Sequence, residues 1–456
     1  MIADLKPYPE YKVSGQEWLG GVPAHWDLKP GHAAFGKRKE SNRGMKEKTV
    51  LSLSYGRIKV KATDKQHGLV PESYETYQVV NEGNVIIRGT DLQNDNTSLR
   101  IGLSRNRGII SSAYLCLQAL PSILPDYGYQ ILNVFDLTKA IYRYGSGLRQ
   151  NLDHGEIKRL PIFLPPLDEQ AAIVRFLEHW NARLEKAIRA KRRVIALLQE
   201  QKQAIIHRAV TCGFDPNVKF KDSGIPWLGG IPEHWEVLRA GNLFYEVVDT
   251  GHPNLLLLSI DRFKGVIPQA DTGRKTRASE NRSSYKRVRP GQLAYNLMNA
   301  FMGGLGFSIH DGIVSPAYAV AQSRREIEPA YFHNLFRTDA YTSEFNRQSY
   351  GIMYERNRLY FERFKLIPTL VPPLAEQREI VEFVREETAT LITAITRYER
   401  EISLLREYRT RLTADVVTGK LDVRAAASQL PEPVQDHAPA EAEALEEDSE
   451  LEEVEA

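Results

Sequence analysis

The sequence predicts an α+β protein: two mixed α/β domains in tandem repeat, joined by two long antiparallel coiled-coil helices. Three observations carry this reading. One set of motifs occurs twice, in one order and at nearly one offset. After each copy comes a long stretch with a heptad of apolar residues. A Pro-Pro pair separates each domain from the stretch that follows it.

The duplication comes first, because an internal repeat decides the architecture before any local propensity does. Glu17-Trp-Leu-Gly-Gly-Val-Pro-Ala-His-Trp26 returns as Pro226-Trp-Leu-Gly-Gly-Ile-Pro-Glu-His-Trp235, 209 residues later. Tyr77–Gly83 returns as Tyr285–Gly291 at offset 208, and Gly108–Tyr114 as Gly312–Tyr318 at offset 204. Leu164-Pro-Pro-Leu-Asp-Glu-Gln170 returns as Val371-Pro-Pro-Leu-Ala-Glu-Gln377, and Thr211 and Asp215 return as Thr418 and Asp422, all at offset 207. A period of about two hundred residues is far beyond any solenoid unit, so each copy is a domain with an appendage. Within each copy a Trp/Gly/Pro-rich opening reads as turns. Short apolar runs such as Thr49–Ser54, Val85–Ile87 and Tyr114–Leu117, broken by Gly, Asn and Asp, read as short strands. Helix is expected near 129–143 and 328–348. The Pro-Pro pair restricts the backbone and closes the domain.

Residues 168–210 contain neither glycine nor proline. Leu177, Leu184, Leu198 and Ile205 keep a seven-residue spacing with Lys191 in the gap, and Ile188 and Ile195 fall four residues after Leu184 and Lys191. The second copy matches with Val384, Leu391, Tyr398, Leu405 and Leu412, and with Ile395 and Ile402. Asp168, Glu169 and Glu376 suit the positive end of a helix dipole, and Gly213 and Gly419 suit a helix end. At 1.5 Å per residue each helix runs roughly 60 Å. An apolar stripe of that length needs a partner, and the other copy supplies one if the duplicated units relate by an approximate two-fold, which makes the helices antiparallel. Leu177, Leu184, Ile188, Ile195, Leu198, Leu391, Ile395, Tyr398, Ile402 and Leu405 are therefore the candidate partner-helix residues.

Composition narrows the function classes. Hydrophobic residues make up 42% of the 456 residues and charged residues 26%, enough for folded domains with real cores. The start is polar, with no apolar core of a signal peptide, and no apolar run is long enough to span a bilayer, which leads to a cytoplasmic expectation. Cys116 and Cys212 stand far apart and in no ligand spacing, so neither a disulfide framework nor a metal site is expected. The net charge of +2 hides an asymmetry. The last 25 residues hold eleven acidic side chains and no Lys or Arg, so residues 1–431 carry +13. A basic body favours polyanionic partners.

The opening motif, the Pro-Pro-Leu-x-Glu-Gln motif and the stretch from Gly291-Gln-Leu-Ala-Tyr-Asn to Ser315-Pro-Ala-Tyr318 together resemble the specificity subunits of type I restriction–modification systems. The resemblance covers residues 17 to about 423 in the family's two-copy order. It implies a first target recognition domain at 1–165, a central helix at 166–213, a second recognition domain at 214–371 and a distal helix at 372–424; composition adds an acidic, disordered tail at 425–456. It also implies that each domain reads one half of a split double-stranded DNA site. The helices would set the gap and dock two DNA methyltransferase subunits, with restriction/translocase subunits joining them and no membrane partner. Half-sites about one turn (~34 Å) apart need a rigid spacer. The tail departs from the family pattern. It reads as a solvated extension, or as one that competes with DNA for the basic surface.

No catalytic residue is expected in this chain. It lacks the Asn/Asp-Pro-Pro-aromatic loop of an amino-methyltransferase. Phe301-Met-Gly-Gly-Leu-Gly306 reads as a turn, and Gly419-Lys420 is followed by leucine instead of a phosphate-loop Ser or Thr. The chain itself would need no cofactor, with AdoMet, ATP and Mg expected in partner subunits. Two rival readings are a single-chain DNA-modification enzyme and a scaffold whose tandem modules bind something other than nucleic acid.

Base and phosphate contact calls for Arg, Lys and polar side chains on loops. In the first domain the candidates are Lys37, Arg38, Lys39, Arg43, Arg57, Lys59, Arg105 and Arg107, with Lys46 and Lys61 beside them and Ser146 and Arg149 in the loop Tyr144–Gln150. In the second they are Arg274, Lys275, Arg277, Lys286 and Arg287, with Arg282, and Tyr350 and Arg356 in the loop that stands at the same place before the Pro-Pro pair. Trp18, Trp26, Trp227 and Trp235 read as structural anchors, because a duplex offers no splayed bases to stack on.

Overall fold

The computed structural model describes residues 5–16, 19–61, 73–90, 92, 99–145, 151–261, 264–272, 281–351 and 357–431. They fall into two compact units. One takes residues up to Ala190 and from Glu401 onward; the other takes Lys191–Arg400. Each unit therefore holds one globular domain, half of one long helix and half of the other.

In the first unit the core sheet runs Phe35–Lys37, Leu115–Ala119, Val85–Ile87, Ile101–Leu103, antiparallel throughout. Leu117 sits opposite both Lys37 and Val85, which makes Leu115–Ala119 a central strand. The helix Pro125–Leu137 opens on a proline at its first turn, where a missing N–H costs nothing, and buries Tyr127, Ile131, Leu132, Val134 and Phe135. Smaller antiparallel pairs surround this layer: Tyr11–Val13 with Gly21–Pro23, Asp27–Pro30 with Pro161–Leu164, Gln78–Val80 with Gly108–Ile110, and the hairpin Leu51–Ser54 with Arg57–Val60.

The second unit repeats this plan. Its sheet runs Phe244–Glu246, Tyr318–Ser323, Leu293–Asn296, Leu305–Phe307. Phe220–Asp222 pairs with Gly230–Pro232, Glu236–Arg239 with Pro368–Val371, and Lys286–Val288 with Gly312–Val314. Leu256–Asp261 pairs in parallel with Gly312–Val314, where the first unit has only a parallel bridge between Val50 and Ile109. The helical layer is split into Pro329–Leu335 and Asp339–Gln348. Phe301–Gly306 is the turn leading into Leu305–Phe307, with Gly303 at φ 83°.

The long helices are Leu167–Cys212 and Leu374–Val417. Their antiparallel pairing is visible within each unit. In the first, the Arg409 guanidinium meets Glu185 at 2.8 Å, and Ile173, Phe176 and Leu177 share a core with Leu412, Val416 and Val417. In the second, the Lys191 ammonium lies 5.1 Å from the Tyr398 ring centroid, Phe214 stacks on Phe383, and Ala209 and Val210 share a core with Ile380 and Val384. Leu177, Leu184, Ile188, Ile395 and Ile402 are buried, and Ile195, Leu198, Leu391, Tyr398 and Leu405 are half-buried. Val194, Leu197, Ile392, Leu404 and Tyr408 stay exposed on the same helices.

Both helices end on a left-handed glycine, Gly213 and Gly419, each at φ 76°. After Gly213 the chain runs directly into the second unit's opening strand. In the first unit the opening strand is instead held without covalent continuity. Asp422 N–H donates to the Lys6 carbonyl at 2.8 Å, the Tyr11 hydroxyl donates to the Gly419 carbonyl at 3.0 Å, and the Arg424 guanidinium covers the Tyr8 ring. The acidic tail expected from residue 425 begins later than its composition suggested. Arg424–Ser428 is helical, and Ala426, Ala427 and Leu430 are buried in the first unit's core. Alanine-rich sequence looks featureless, but it is what a close helix-to-helix approach accepts. Residues 432–456 lie outside the described residues.

The two terminal glycines differ in what surrounds them, which gives a contrast. A Cβ on Gly419 would run into Pro23, whereas one on Gly213 meets nothing closer than 3.6 Å. Gly419→Ala should therefore cost more than about 1 kcal/mol and exceed Gly213→Ala, which pays mainly for its positive φ. Hydrogen exchange at each helix end measures the two, and equal losses would show that the Pro23 contact is soft.

Candidate nucleic-acid interface

Two carboxylates at the starts of the long helices hold the domains in place. Glu169 accepts the Trp26 indole N–H at 2.9 Å on Oε1, and its Oε2 lies 2.8 Å from His25 Nε2. Glu376 accepts the Trp235 indole at 3.0 Å and lies 2.7 Å from His234 Nε2. Trp26 and Trp235 are fully buried. The adjacent glutamines close the same joint: Gln170 donates to Pro165 O and accepts Leu124 N–H, and Gln377 donates to Pro372 O and accepts Glu328 N–H. The first unit adds a third donor, the Tyr8 hydroxyl, 2.6 Å from Glu169 Oε1. Burial, and then this bond, push the Tyr8 phenol above its ordinary range, so it stays a donor. The His-Trp and Pro-Pro-Leu-x-Glu-Gln motifs are thus two halves of one joint. Trp26 and Trp235 are anchors, and Trp227 packs edge-on against Tyr341, while Trp18 lies outside the described residues.

The loops before the Pro-Pro pairs are tied back at equivalent places. Leu152 N–H donates to Gly89 O at 2.7 Å and Leu359 N–H to Leu297 O at 2.8 Å. Tyr350 is exposed and its ring meets that of Tyr360 tilted by 43° at 5.2 Å, with the Arg363 guanidinium 5.6 Å from its ring. Ser146, Arg149, Arg274, Lys275, Arg277 and Arg356 lie outside the described residues.

The remaining basic candidates divide into two groups. Arg38 pairs with Glu40, Arg105 with Asp126 and Glu178, and Arg107 with Glu47. Arg287 makes a two-pronged pair with Asp311 at 2.8 and 2.6 Å, and Lys286 donates to Tyr318 O. Arg287 belongs to a network with Arg289, Asp249 and His252, where Arg289 and His252 both meet Asp249. Arg57 and Lys59 lie on the second hairpin strand. Lys37, Lys39 and Arg43 are exposed and make no ion pair among the described residues.

Sequence reasoning missed a neighbour of these lysines. Asp153 caps the short helix His154–Arg159 and Glu156 reaches back to Asp153 N–H, a complete capping box. This helix packs beside the turn Gly31–Ala33 that leads into Phe35–Lys37, which brings Lys158 and His154 near Lys37 and Lys39. Burial, then the Lys158 and Lys37 charges, hold the His154 imidazole below its ordinary range. The Asp-x-x-Glu spacing at 153–156 was the available signal. Among the described residues no group of three His, Cys, Asp or Glu could hold a metal ion, and no helix is long and apolar enough to cross a membrane.

No protein-family model matches the sequence. Over 126 residues the chain is 32% identical to a protein of Methanocaldococcus jannaschii, the putative type I restriction enzyme MjaX specificity subunit. Over that stretch the chain is similar to a type I specificity subunit. The aligned stretch spans 27% of this chain and 28% of that relative's length. In fold alone, the chain resembles a solved structure over most of its length. A chain from a structure of type I restriction–modification complex assembly and conformational transition superposes with a TM-score of 0.58 at 16% identity, covering 88% of this chain and 99% of that one. The HsdS subunit from Thermoanaerobacter tengcongensis, also 16% identical, matches 88% of this chain and 98% of its own with a TM-score of 0.40.

Two outcomes follow from this geometry. Glu169→Ala leaves two buried donors, Tyr8 and Trp26, and the exposed His25 unmet and should destabilise the first unit by about 2–4 kcal/mol, with Glu376→Ala costing less in the second, since it strands one buried donor, Trp235, and the exposed His234. Hydrogen exchange in each unit reads both, and a larger loss at Glu376 would refute the ranking. Replacing Lys37, Lys39 and Lys158 by alanine should lower the slope of log K against log salt for duplex binding by about 2–3. Arg105→Ala, which removes an already paired cation, should change the slope by less than about 1.

Proposed function

We propose that the chain is the DNA sequence-specificity subunit of a type I restriction–modification complex. Each globular domain reads one half of a bipartite double-stranded site, and the paired helices set the spacing between the halves and dock methyltransferase subunits. The observation that carries this reading is the duplication of one construction. Two domains of the same plan are seated by the same His-Trp-Glu joint on two continuous helices, which is what reading a split site at a fixed gap requires. The relation to the MjaX specificity subunit and the fold shared with a type I complex support it.

The chain contributes recognition and assembly. Methyl transfer, with AdoMet, and ATP- and Mg-dependent translocation and cleavage belong to partner subunits. Exposed Val194, Leu197, Ile392, Leu404 and Tyr408 lie on the helices where a partner subunit would sit, outside the seam that the helices bury between themselves. The lysines around His154 supply phosphate contact in the first domain, and loop side chains that differ between the domains supply base reading.

Genome-wide base-modification sequencing in a host expressing this chain, with and without a cognate methyltransferase, tests the reading. A split, gapped motif methylated only with both proteins is the expected result. Methylation by this chain alone would make it an enzyme. Exchanging 214–371 for the matching domain of a relative should change one half of the motif, and a change in both halves would refute modular reading.

A further inference from the structure

The acidic segment has a fixed point of departure and an uncompensated surface within its reach. Arg424–Ser428 is docked on the first unit through Ala426, Ala427 and Leu430, and the Arg175 guanidinium donates to the Leu430 carbonyl. The segment after Pro431 therefore starts from a set position on that unit. It carries eleven carboxylates in 25 residues and no Lys or Arg, nine of the eleven between Glu441 and Glu455.

The same unit has sorted its cations. Arg38, Arg105 and Arg107 are already matched by Glu40, Asp126, Glu178 and Glu47. Lys37, Lys39, Arg43, Lys46 and Lys158 are exposed and make no ion pair among the described residues. His154 lies among three of them, and their charge adds to burial in holding its imidazole below its ordinary range. Lys37, Lys39 and Lys158 thus converge around His154, with Asp153 as the opposing charge beside it.

We propose that residues 432–456 dock on the basic face of the first unit around Lys37, Lys39 and Lys158, and that duplex DNA must displace them. Twenty-five residues extend to at most about 85 Å, while a domain of some 165 residues has a radius of gyration near 15 Å, so the tether spans the unit from any point on it. Tethering raises the effective concentration of the carboxylates to about the millimolar range, enough for many weak pairs to compete with a free polyanion. The occupant is a segment of this chain, chosen because its charge is complementary and its anchor is on the same unit. Displacement by DNA rests on the proposed function, whereas docking does not.

Anisotropy of a labelled random-sequence duplex should be compared for the full chain and for a chain ending at Pro431, over roughly 50 to 200 mM salt. The shortened chain should bind about tenfold tighter at the low end, with a steeper salt slope, because the full chain must first release its own carboxylates. A full chain whose eleven tail carboxylates are replaced by the corresponding amides should match the shortened one. Replacing Lys37, Lys39 and Lys158 by alanine should close the gap between full and shortened chains. Equal duplex affinity at every salt concentration, or a gap indifferent to the lysines, would overturn the inference and leave the proposed function standing. If neither form binds duplex, the proposed function fails instead. Docking is then judged by a labelled 432–456 peptide added to the shortened chain. Lysine-dependent binding supports docking and no binding overturns it.

Discussion

A glutamate at the first turn of each long helix is the constraint on which the rest of the protein depends. Glu169 and Glu376 each join three things: the helix they begin, the His-Trp turn of a domain, and the end of the other helix that packs beside that turn. An acceptor placed there is stabilised twice. It lies at the positive end of the helix dipole, and it receives an indole N–H that burial would otherwise leave unmet. Remove the carboxylate and the tryptophan has no reason to sit in the joint. Without the tryptophan, the domain loses its register on the helix.

That arrangement explains why the two motifs are far apart in sequence yet recur together. One gives the donors and the other the acceptor, and neither is useful alone. It also explains the N-terminal segment. In the second unit the opening strand follows the first long helix along the chain, through Gly213. In the first unit no covalent link exists at that place, and Lys6, Tyr8 and Tyr11 rebuild the connection through Asp422, Arg424 and Gly419. Tyr8, which has no matching donor on Glu376, is the extra bond that the missing peptide link makes useful.

The charge pattern follows a separate logic. Several arginines of the globular domains are tied to carboxylates, which fixes the direction of their guanidinium groups at a modest energetic gain for exposed pairs. Lysines are left untied around His154. A fixed arginine suits base reading, where orientation matters, and an untied lysine suits phosphate, where a mobile point charge is enough.

The sequence by itself determined the duplication, the two long helices and their apolar seam, because a repeat offset and a heptad spacing are local, countable patterns. It also determined that Trp26 and Trp235 are anchors, though not what they are anchored to. Only the tertiary structure decided which cations are already paired, since Arg105 meets Asp126 and Glu178 across sequence distances that no pattern encodes. It likewise decided that Lys158 belongs with Lys37 and that Ala426, Ala427 and Leu430 belong to the core. In each case the deciding quantity is a distance between residues far apart in the chain. Such distances are set by how helices and sheets pack, not by the order of the side chains.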